Sequence, residues 1–387
     1  MSLDKVKIVG VGQTEYSKNS KRSVLSLALE ACLDSINDSG IPINEIDGVV
    51  CYGLGDSVTP MAVATGLGLD HVRFTSDLWG GGNASCNSIL TAAMAIQSGL
   101  ANNIICFRAM NGRSGYRLGG TGRDDNSIAA GDGQFTSPFG LLSFAQYHAM
   151  FAQRHMIEYG TTSKQLGAIA VACRKHALLN ERALMKRPMS IQDYLESPMI
   201  AEPLRLFDIC LETDGACAVL LTNDERARDT KKKPISIMSG ANGGGPQPGL
   251  DYTGFLRWAD YTTCYAKYIA DDLWGRAGIR PADVDVAMIY DCFTISVIMQ
   301  LEGLGFCEVG EGGHFVEGGR IEIGGALPIN THGGLLSEGY IHGLNHTVEA
   351  VRQLRGECGE RQVKDAEIAL TTGFGTTTGS ALLLTNQ

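Results

Sequence analysis

Tyr290 heads the segment Tyr290-Asp291-Cys292-Phe293, directly after the apolar run Val284–Ile289. Tyr340 sits in the glycine-flanked stretch Gly333-Gly334-Leu335-Leu336-Ser337-Glu338-Gly339-Tyr340-Ile341-His342-Gly343. A phenol, with an unperturbed pKa of about 10, is a poor base for a thiol but suits proton exchange with an alcohol or an enolate. An isolated tyrosine at a strand end more commonly packs its ring and hydrogen-bonds its hydroxyl. Other groups of chemical interest surround the pair. His342 and His346 have the spacing of zinc ligands on one helix face, but no third ligand stands at a matching spacing and no metal site is expected. His332 is a candidate for orienting Tyr340 or a bound thioester, and Glu338 is a candidate acid whose ordinary alternative is a surface carboxylate. Asp291 either tunes the Tyr290 phenol or caps a helix starting at Phe293, and the cap is the commoner use of aspartate. Cys86, among Ser85, Ile89 and Leu90, reads as a small packed residue and not as a nucleophile. Gly80–Gly82 precede that helix, as an anion site would. Arg113, Arg117 and Arg123 suit phosphate groups but are equally explained as solvated loop cations.

The elements that must hold these groups belong to an α/β protein. The chain has 387 residues, 44% of them apolar, and 49 glycines, which suits a packed protein with many tight turns. A formal charge of −10 argues against a polyanion as the main partner. No apolar run reaches the about 18 residues of a membrane span, and the stretch from Met1 to Val6 lacks the apolar core of a signal peptide. The 11 cysteines are scattered without a Cys-x-x-Cys pair, which predicts reduced, mostly buried thiols and a cytoplasmic protein.

A weak internal repeat organises the chain. Gly40-Ile41-Pro42-Ile43-Asn44-Glu45-Ile46-Asp47-Gly48-Val49-Val50 aligns with Gly278-Ile279-Arg280-Pro281-Ala282-Asp283-Val284-Asp285-Val286-Ala287-Met288. Each copy follows an amphipathic helix and leads into a strand ending at a tyrosine, Tyr52 or Tyr290. A second match sets Ala93–Gly99 over Ala350–Gly356, two helix ends closed by glycine. Helix, turn and strand recurring in the same order predict two α/β halves of duplicated topology, residues 1–225 and 234–387, joined through the charged run Asp224–Pro234. Residues of about 112–205 have no counterpart in the second half. They read as an insertion covering the N-terminal half, a glycine-rich loop from Gly112 to Gly133 followed by helices over 144–159 and 162–179.

Tyr159-Gly160-Thr161-Thr162, Arg174-Lys175-His176-Ala177 with Asn180, Ser197-Pro198, Asp214-Gly215-Ala216 and Val351-Arg352-Gln353-Leu354-Arg355-Gly356-Glu357 follow one another in an order that resembles the thiolase superfamily, in its sterol-carrier-protein branch. The resemblance runs nearly end to end and implies the five-layer αβαβα thiolase fold. In that branch the segments holding Tyr290 and Tyr340 carry catalytic histidines within His-Asp-Cys-Phe and Gly-His-x-x-Gly motifs. Tyrosine at both places resembles the steroid side-chain-cleaving aldolases. The family's nucleophilic cysteine stands a fixed distance before a helix-ending Ile-x-x-Gly, here Ile96-Gln97-Ser98-Gly99, and that distance leads back to Gly82. Cys86 lies four residues further on, about 6 Å along the helix axis.

Without nucleophile or imidazoles, the resemblance implies retro-aldol cleavage of a β-hydroxyacyl-CoA, of a steroid-side-chain type, to a ketone plus propionyl-CoA or acetyl-CoA. Tyr290 would take the proton of the β-hydroxyl and Tyr340 would protonate Cα. Backbone N–H groups near Gly82 or Gly375 would hold the enolate oxygen, with His332 and His342 as supporting candidates. No cofactor is implied beyond the coenzyme A of the substrate. A homodimer and a separate OB-fold, zinc-ribbon partner protein are implied as well. The competing readings are an acyltransferase with an atypical nucleophile, Cys86 or Cys292, and an inactive acyl-CoA-binding scaffold.

Overall fold

The computed structural model describes Leu3, residues 5–115, Arg117, residues 134–248 and residues 258–387; Arg123 and most of the glycine-rich loop lie outside the described residues. In chain order the strands are β1 (Val6–Gln13), β2 (Gly48–Gly53), β3 (Phe74–Trp79), β4 (Asn103–Asn111), β5 (Met199–Ala201), β6 (Leu204–Arg205), β7 (Asp214–Asn223), β8 (Ile235–Gly244), β9 (Val286–Met288), β10 (Ile368–Gly375) and β11 (Thr378–Thr385). The helices are α1 (Val24–Ser39), α2 (Pro60–Leu67), α3 (Ser85–Gln97), α4 (Phe144–Tyr159), α5 (Ser163–Leu178), α6 (Ile191–Glu196), α7 (Asp224–Ala227), α8 (Ala266–Ala277), α9 (Thr294–Gly303), α10 (Gly312–Phe315), α11 (Gly334–Ser337) and α12 (Leu344–Arg355).

The two repeat copies fold alike. α1 and α8 each end on a glycine in the left-handed region, Gly40 at φ 77° and Gly278 at φ 71°. A 3-10 turn follows in each, Ile43–Glu45 or Pro281–Asp283, and then β2 or β9. Even the repeat aspartates do the same work. Asp47 accepts from the backbone N–H groups of Asn102 and Asn103 at the start of β4, and Asp285 accepts from those of Glu367 and Ile368 at the start of β10.

Nine strands form one mixed sheet in the order β3-β2-β4-β7-β1-β8-β11-β10-β9. Outward from its centre each side runs through the same roles, the first strand of its set, then the last, the last but one and the second. The third strand of the second set is reduced to a single bridge, Ala287 with Ile329. At the centre β1 and β8 pair through Lys7–Ser236 and Ile8–Ile235. The inner strands β4 and β7 are buried on both faces and so are apolar at consecutive positions rather than alternate ones. Ile104 and Cys106 of β4 join a core with α3 and α12, while Ile105 and Phe107 join a different one with α1 and α2. Val286, Met288, Ala369, Leu382 and Leu384 enter the α3–α12 core from the other side, and Leu370, Ala381 and Leu383 face α8 and α9. The two halves of the sheet therefore lie on opposite sides of α3 and α12, and the layers run helix, half-sheet, helix, half-sheet, helix, with α3 and α12 innermost.

The insertion corrects one expectation. Its helices do not cover the N-terminal half. Phe151, Leu166, Ile169 and Cys173 of α4 and α5 share a core with Ile295, Ile298 and Leu301 of α9, because their apolar faces match the outer face of that helix in the C-terminal half.

Candidate active site

Tyr290 lies two residues beyond β9 and is 1% exposed. Its backbone is clamped: its N–H donates to Thr372 Oγ1 at 2.9 Å, and its carbonyl accepts from Gln300 Nε2 at 2.8 Å. Gln300 also accepts from Thr372 Oγ1, so β10 and α9 together fix where the ring points. Tyr340 lies between α11 and α12 with its N–H on Thr213 Oγ1 at 3.0 Å, and its ring is half-buried. The two hydroxyls meet: Tyr290 Oη donates to Tyr340 Oη at 3.0 Å, with the rings edge-on. Burial, reinforced by Tyr340, holds the Tyr290 phenol well above its ordinary pKa.

Gly82 explains the missing nucleophile. A Cβ built on it would lie 2.1 Å from Cζ and from Oη of Tyr290. No side chain fits there while Tyr290 holds its place, so the slot counted back to Gly82 is filled by the phenol. The turn Gly82–Ala84 is stitched to the β10–β11 hairpin, Ser380 Oγ donating to Asn83 O at 2.7 Å and Asn83 Nδ2 to Thr378 Oγ1 at 3.2 Å. Gly375, paired with Thr378 in that hairpin, therefore lies beside Asn83. Phe374 stacks near-parallel to the Tyr290 ring, 6.4 Å between centroids.

The thiols do not replace the missing cysteine. Cys86 is fully buried with Sγ 3.5 Å from Thr371 O, and burial pushes its pKa up to about 12. Cys292, 3.9 Å from His148 Nε2, is likewise pushed up to about 12 by burial, and burial also keeps His148 neutral, down to about 4.

The histidines separate into two groups. His342 precedes α12 and accepts at Nδ1 from the Arg108 guanidinium, while its ring stands edge-on to Tyr340 at 4.8 Å. His346, in α12, meets His332 (Nδ1 to Nε2, 3.0 Å) and lies 3.3 Å from Asp291 Oδ1. The two therefore do not converge on one ion, and no cluster of three or more metal-ligating side chains occurs among the described residues. His332 stands behind the tyrosines, beside His346 and Glu338, and not against Tyr340. Asp291 also departs from expectation: it caps α11, accepting from Leu335 N at 2.9 Å, because the left-handed Gly334 (φ 64°) brings the start of that helix against the carboxylate. Glu338 is not a surface group. Buried among Gln13, Asn180 and Asn345, it has its pKa raised by burial to about 7.

The motif residues of the insertion hold this segment in place. Arg174 Nε donates to Ser337 Oγ and Asn180 Nδ2 to the carbonyl of His332. Asp214 accepts from the backbone of Arg113 and Ser114, while the side chains of Arg113 and Arg117 pair with Glu212. Two functional candidates escaped the sequence reading, Arg108 and Asp56. The signal for Arg108 was a lone cation inside the apolar run Asn103–Asn111.

A model described as "Thiolase C-terminal domain-like" matches residues 250–385. A 17-hydroxy-3-oxo-4-pregnene-20-carboxyl-CoA lyase of Mycobacterium tuberculosis is 42% identical, the match covering 97% of this chain and 98% of that protein. The chain belongs to the thiolase superfamily, with the steroid side-chain-cleaving aldolases. A steroid side-chain-cleaving aldolase of Thermomonospora curvata is 41% identical over 97% of both chains. A solved structure titled "Ltp2-ChsH2(DUF35) aldolase" superposes with a TM-score of 0.91 at 40% identity, covering 99% of this chain and 98% of that one. The five-layer arrangement is thus the thiolase fold carried by an aldolase branch of the superfamily.

Proposed function

We propose that this protein cleaves a β-hydroxyacyl-CoA bearing a steroid side chain, by a retro-aldol reaction, to a ketone and propionyl-CoA or acetyl-CoA. The observation that carries the reading is the occupation of the Gly82 slot by the Tyr290 phenol, which leaves no acyl-enzyme route at that place. The names of the relatives at 41 and 42% identity support the same reaction class. As the Cα–Cβ bond breaks, Tyr290 takes the β-hydroxyl proton while passing its own along the 3.0 Å hydrogen bond to Tyr340, and Tyr340 protonates Cα. The bond's electrons enter the thioester enolate and return to the new Cα–H bond, so one proton moves from oxygen to carbon and no oxidant or reductant is needed. A concerted relay suits a phenol whose burial opposes a standing phenolate. Backbone donors near Gly82 and Gly375, with His342, are the candidates for the enolate oxygen, and His332 supports the segment from behind.

The working assembly in this reading is a homodimer with a separate OB-fold, zinc-ribbon partner; that there is a separate partner is supported by the two-protein name of the aldolase structure. No cofactor is used beyond the substrate's coenzyme A. The 11 free thiols fit a reducing cytoplasm, and no helix among the described residues is long and apolar enough to cross a membrane. The test is incubation, with and without the co-expressed partner, with a β-hydroxyacyl-CoA and separately with a β-ketoacyl-CoA plus free coenzyme A. Ketone release from the hydroxy compound without free coenzyme A is expected. Cleavage of the keto compound that requires coenzyme A and is abolished by Cys86→Ala or Cys292→Ala would overturn the reading in favour of an acyltransferase. Turnover of neither compound would favour a scaffold.

A further inference from the structure

Arg108 is an anomaly of β4. Its side chain is 0% exposed, and its only carboxylate partner among the described residues is Asp56, whose side chain is 3% exposed, with Nη2 to Oδ2 at 2.6 Å. A buried ion pair adds little stability against its desolvation, so this one calls for another purpose. Two of its nitrogens also converge on one atom, Nε at 3.2 Å and Nη2 at 2.9 Å both reaching His342 Nδ1, while Nη1 donates to the Ala109 carbonyl at 2.9 Å. A guanidinium donates and never accepts. His342 Nδ1 must therefore be the bare, accepting nitrogen, and the ring proton must sit on Nε2. Burial and the Arg108 charge together bring the His342 pKa down to about 3, with Asp56 opposing, so the ring stays neutral. Arg108 on β4 and Asp56 after β2 are the charged groups that face it. The backbone is committed as well. His342 has φ 46°, left-handed for a side chain that seldom adopts it, and its carbonyl is held by the Tyr52 hydroxyl at 2.9 Å. The ring lies between Tyr340, edge-on at 4.8 Å, and the backbone of Gly81, next to the filled nucleophile slot.

We propose that Asp56 and Arg108 are positioning residues that lock His342 as a neutral Nε2–H donor, and that this N–H binds the thioester oxygen as the enolate forms. The second half of the proposal rests on the retro-aldol reading; the first half does not. Carbonyl recognition by a fixed neutral imidazole needs no proton transfer, which leaves the transfers to the tyrosines.

Nitrogen-15 histidine labelling of the intact protein tests the lock without any turnover, the His342 signal being assigned by its loss in His342→Gln. In the wild type the His342 ring is expected to remain a neutral Nε2–H tautomer from about pH 5.5 to about 9. In Arg108→Gln the ring pKa should rise from its wild-type value, burial still holding it down while the Asp56 charge raises it, and the single tautomer should be lost. A wild-type His342 that titrates in this range, or that carries its proton on Nδ1, would overturn the lock whether or not the enzyme reaction is as proposed. For catalysis, His342→Leu should lower kcat about 10²–10³-fold with KM little changed, the effect of removing one oxyanion donor. His342→Gln, which keeps an N–H, should recover part of the loss. Arg108→Gln should also lower kcat, because the neutral ring then carries Nε2–H in only some of the molecules. A kcat within about threefold of wild type in His342→Leu would refute the donor role. Should Arg108→Gln fail to fold, the wild-type spectrum and the His342 pair still decide both halves.

Discussion

Tyr52 and Tyr290 occupy the same position of the sequence repeat and came to different ends. Both are buried, at 0% and 1% exposure, Tyr52 near the end of β2 and Tyr290 two residues beyond β9, the strands that follow the two Gly-Ile turns. Tyr52 spends its hydroxyl on a backbone carbonyl, that of His342 at 2.9 Å, with the Arg108 guanidinium over its ring. Tyr290 donates to a second hydroxyl, that of the half-buried Tyr340. A carbonyl can only accept, so Tyr52 is at the end of its chain of hydrogen bonds. A phenol accepts and donates, so Tyr290 is inside one. Residue type and burial are alike at the two places, and the partner decides which of them can move a proton.

Breaking the comparison should give effects of very different size. Tyr290→Phe is expected to cost about 10²–10⁴-fold in kcat for ketone release with folding intact, since one hydroxyl is lost from the relay; Tyr340→Phe should match it within tenfold. Near-wild-type rates for both would make the phenols structural. Tyr52→Phe should instead show mainly as a stability loss of about 1 kcal/mol in urea unfolding, the worth of one buried hydrogen bond. Gly82→Ala should destabilise by about 1–3 kcal/mol through overpacking against Tyr290. Combining it with Tyr290→Ala should remove most of that penalty, and strict additivity in the double-mutant cycle would deny the steric coupling. The last effect concerns Glu338 and shows only in the pH dependence of stability. Its folded pKa, raised from 4.5 to about 7, means that its contribution is complete below about pH 4.5 and is lost as pH rises through about 7. Unfolding midpoints across that window should fall with pH less steeply in Glu338→Gln than in wild type.

The repeat was legible because it is written in local chemistry. Gly40 and Gly278 end helices in a conformation that glycine favours, and Asp47 and Asp285 reach backbone N–H groups that any such crossover leaves open. The packed role of Cys86 was legible for the same reason, from the apolar company it keeps on its helix. Partners distant in sequence were not. Asp291 sits where a cap for the next helix would sit, yet it caps α11, whose chain returns to it some forty residues later. Glu338 has the composition of a surface position and is enclosed by side chains from β1, α5 and α12 and their flanking turns. The helices of the insertion declared their apolar faces but not the helix they would meet.

What the sequence determined by itself is the duplicated architecture, the absence of a thiol at position 82 and the presence of two phenols where that absence matters. These follow from residue type and order, which no packing can alter. Only the tertiary structure decided that the phenols share a hydrogen bond, that Tyr290 fills the space above Gly82, and that a buried arginine sets the proton on His342. Each of those depends on segments more than forty residues apart meeting within about 3 Å, the range of a hydrogen bond or of steric exclusion.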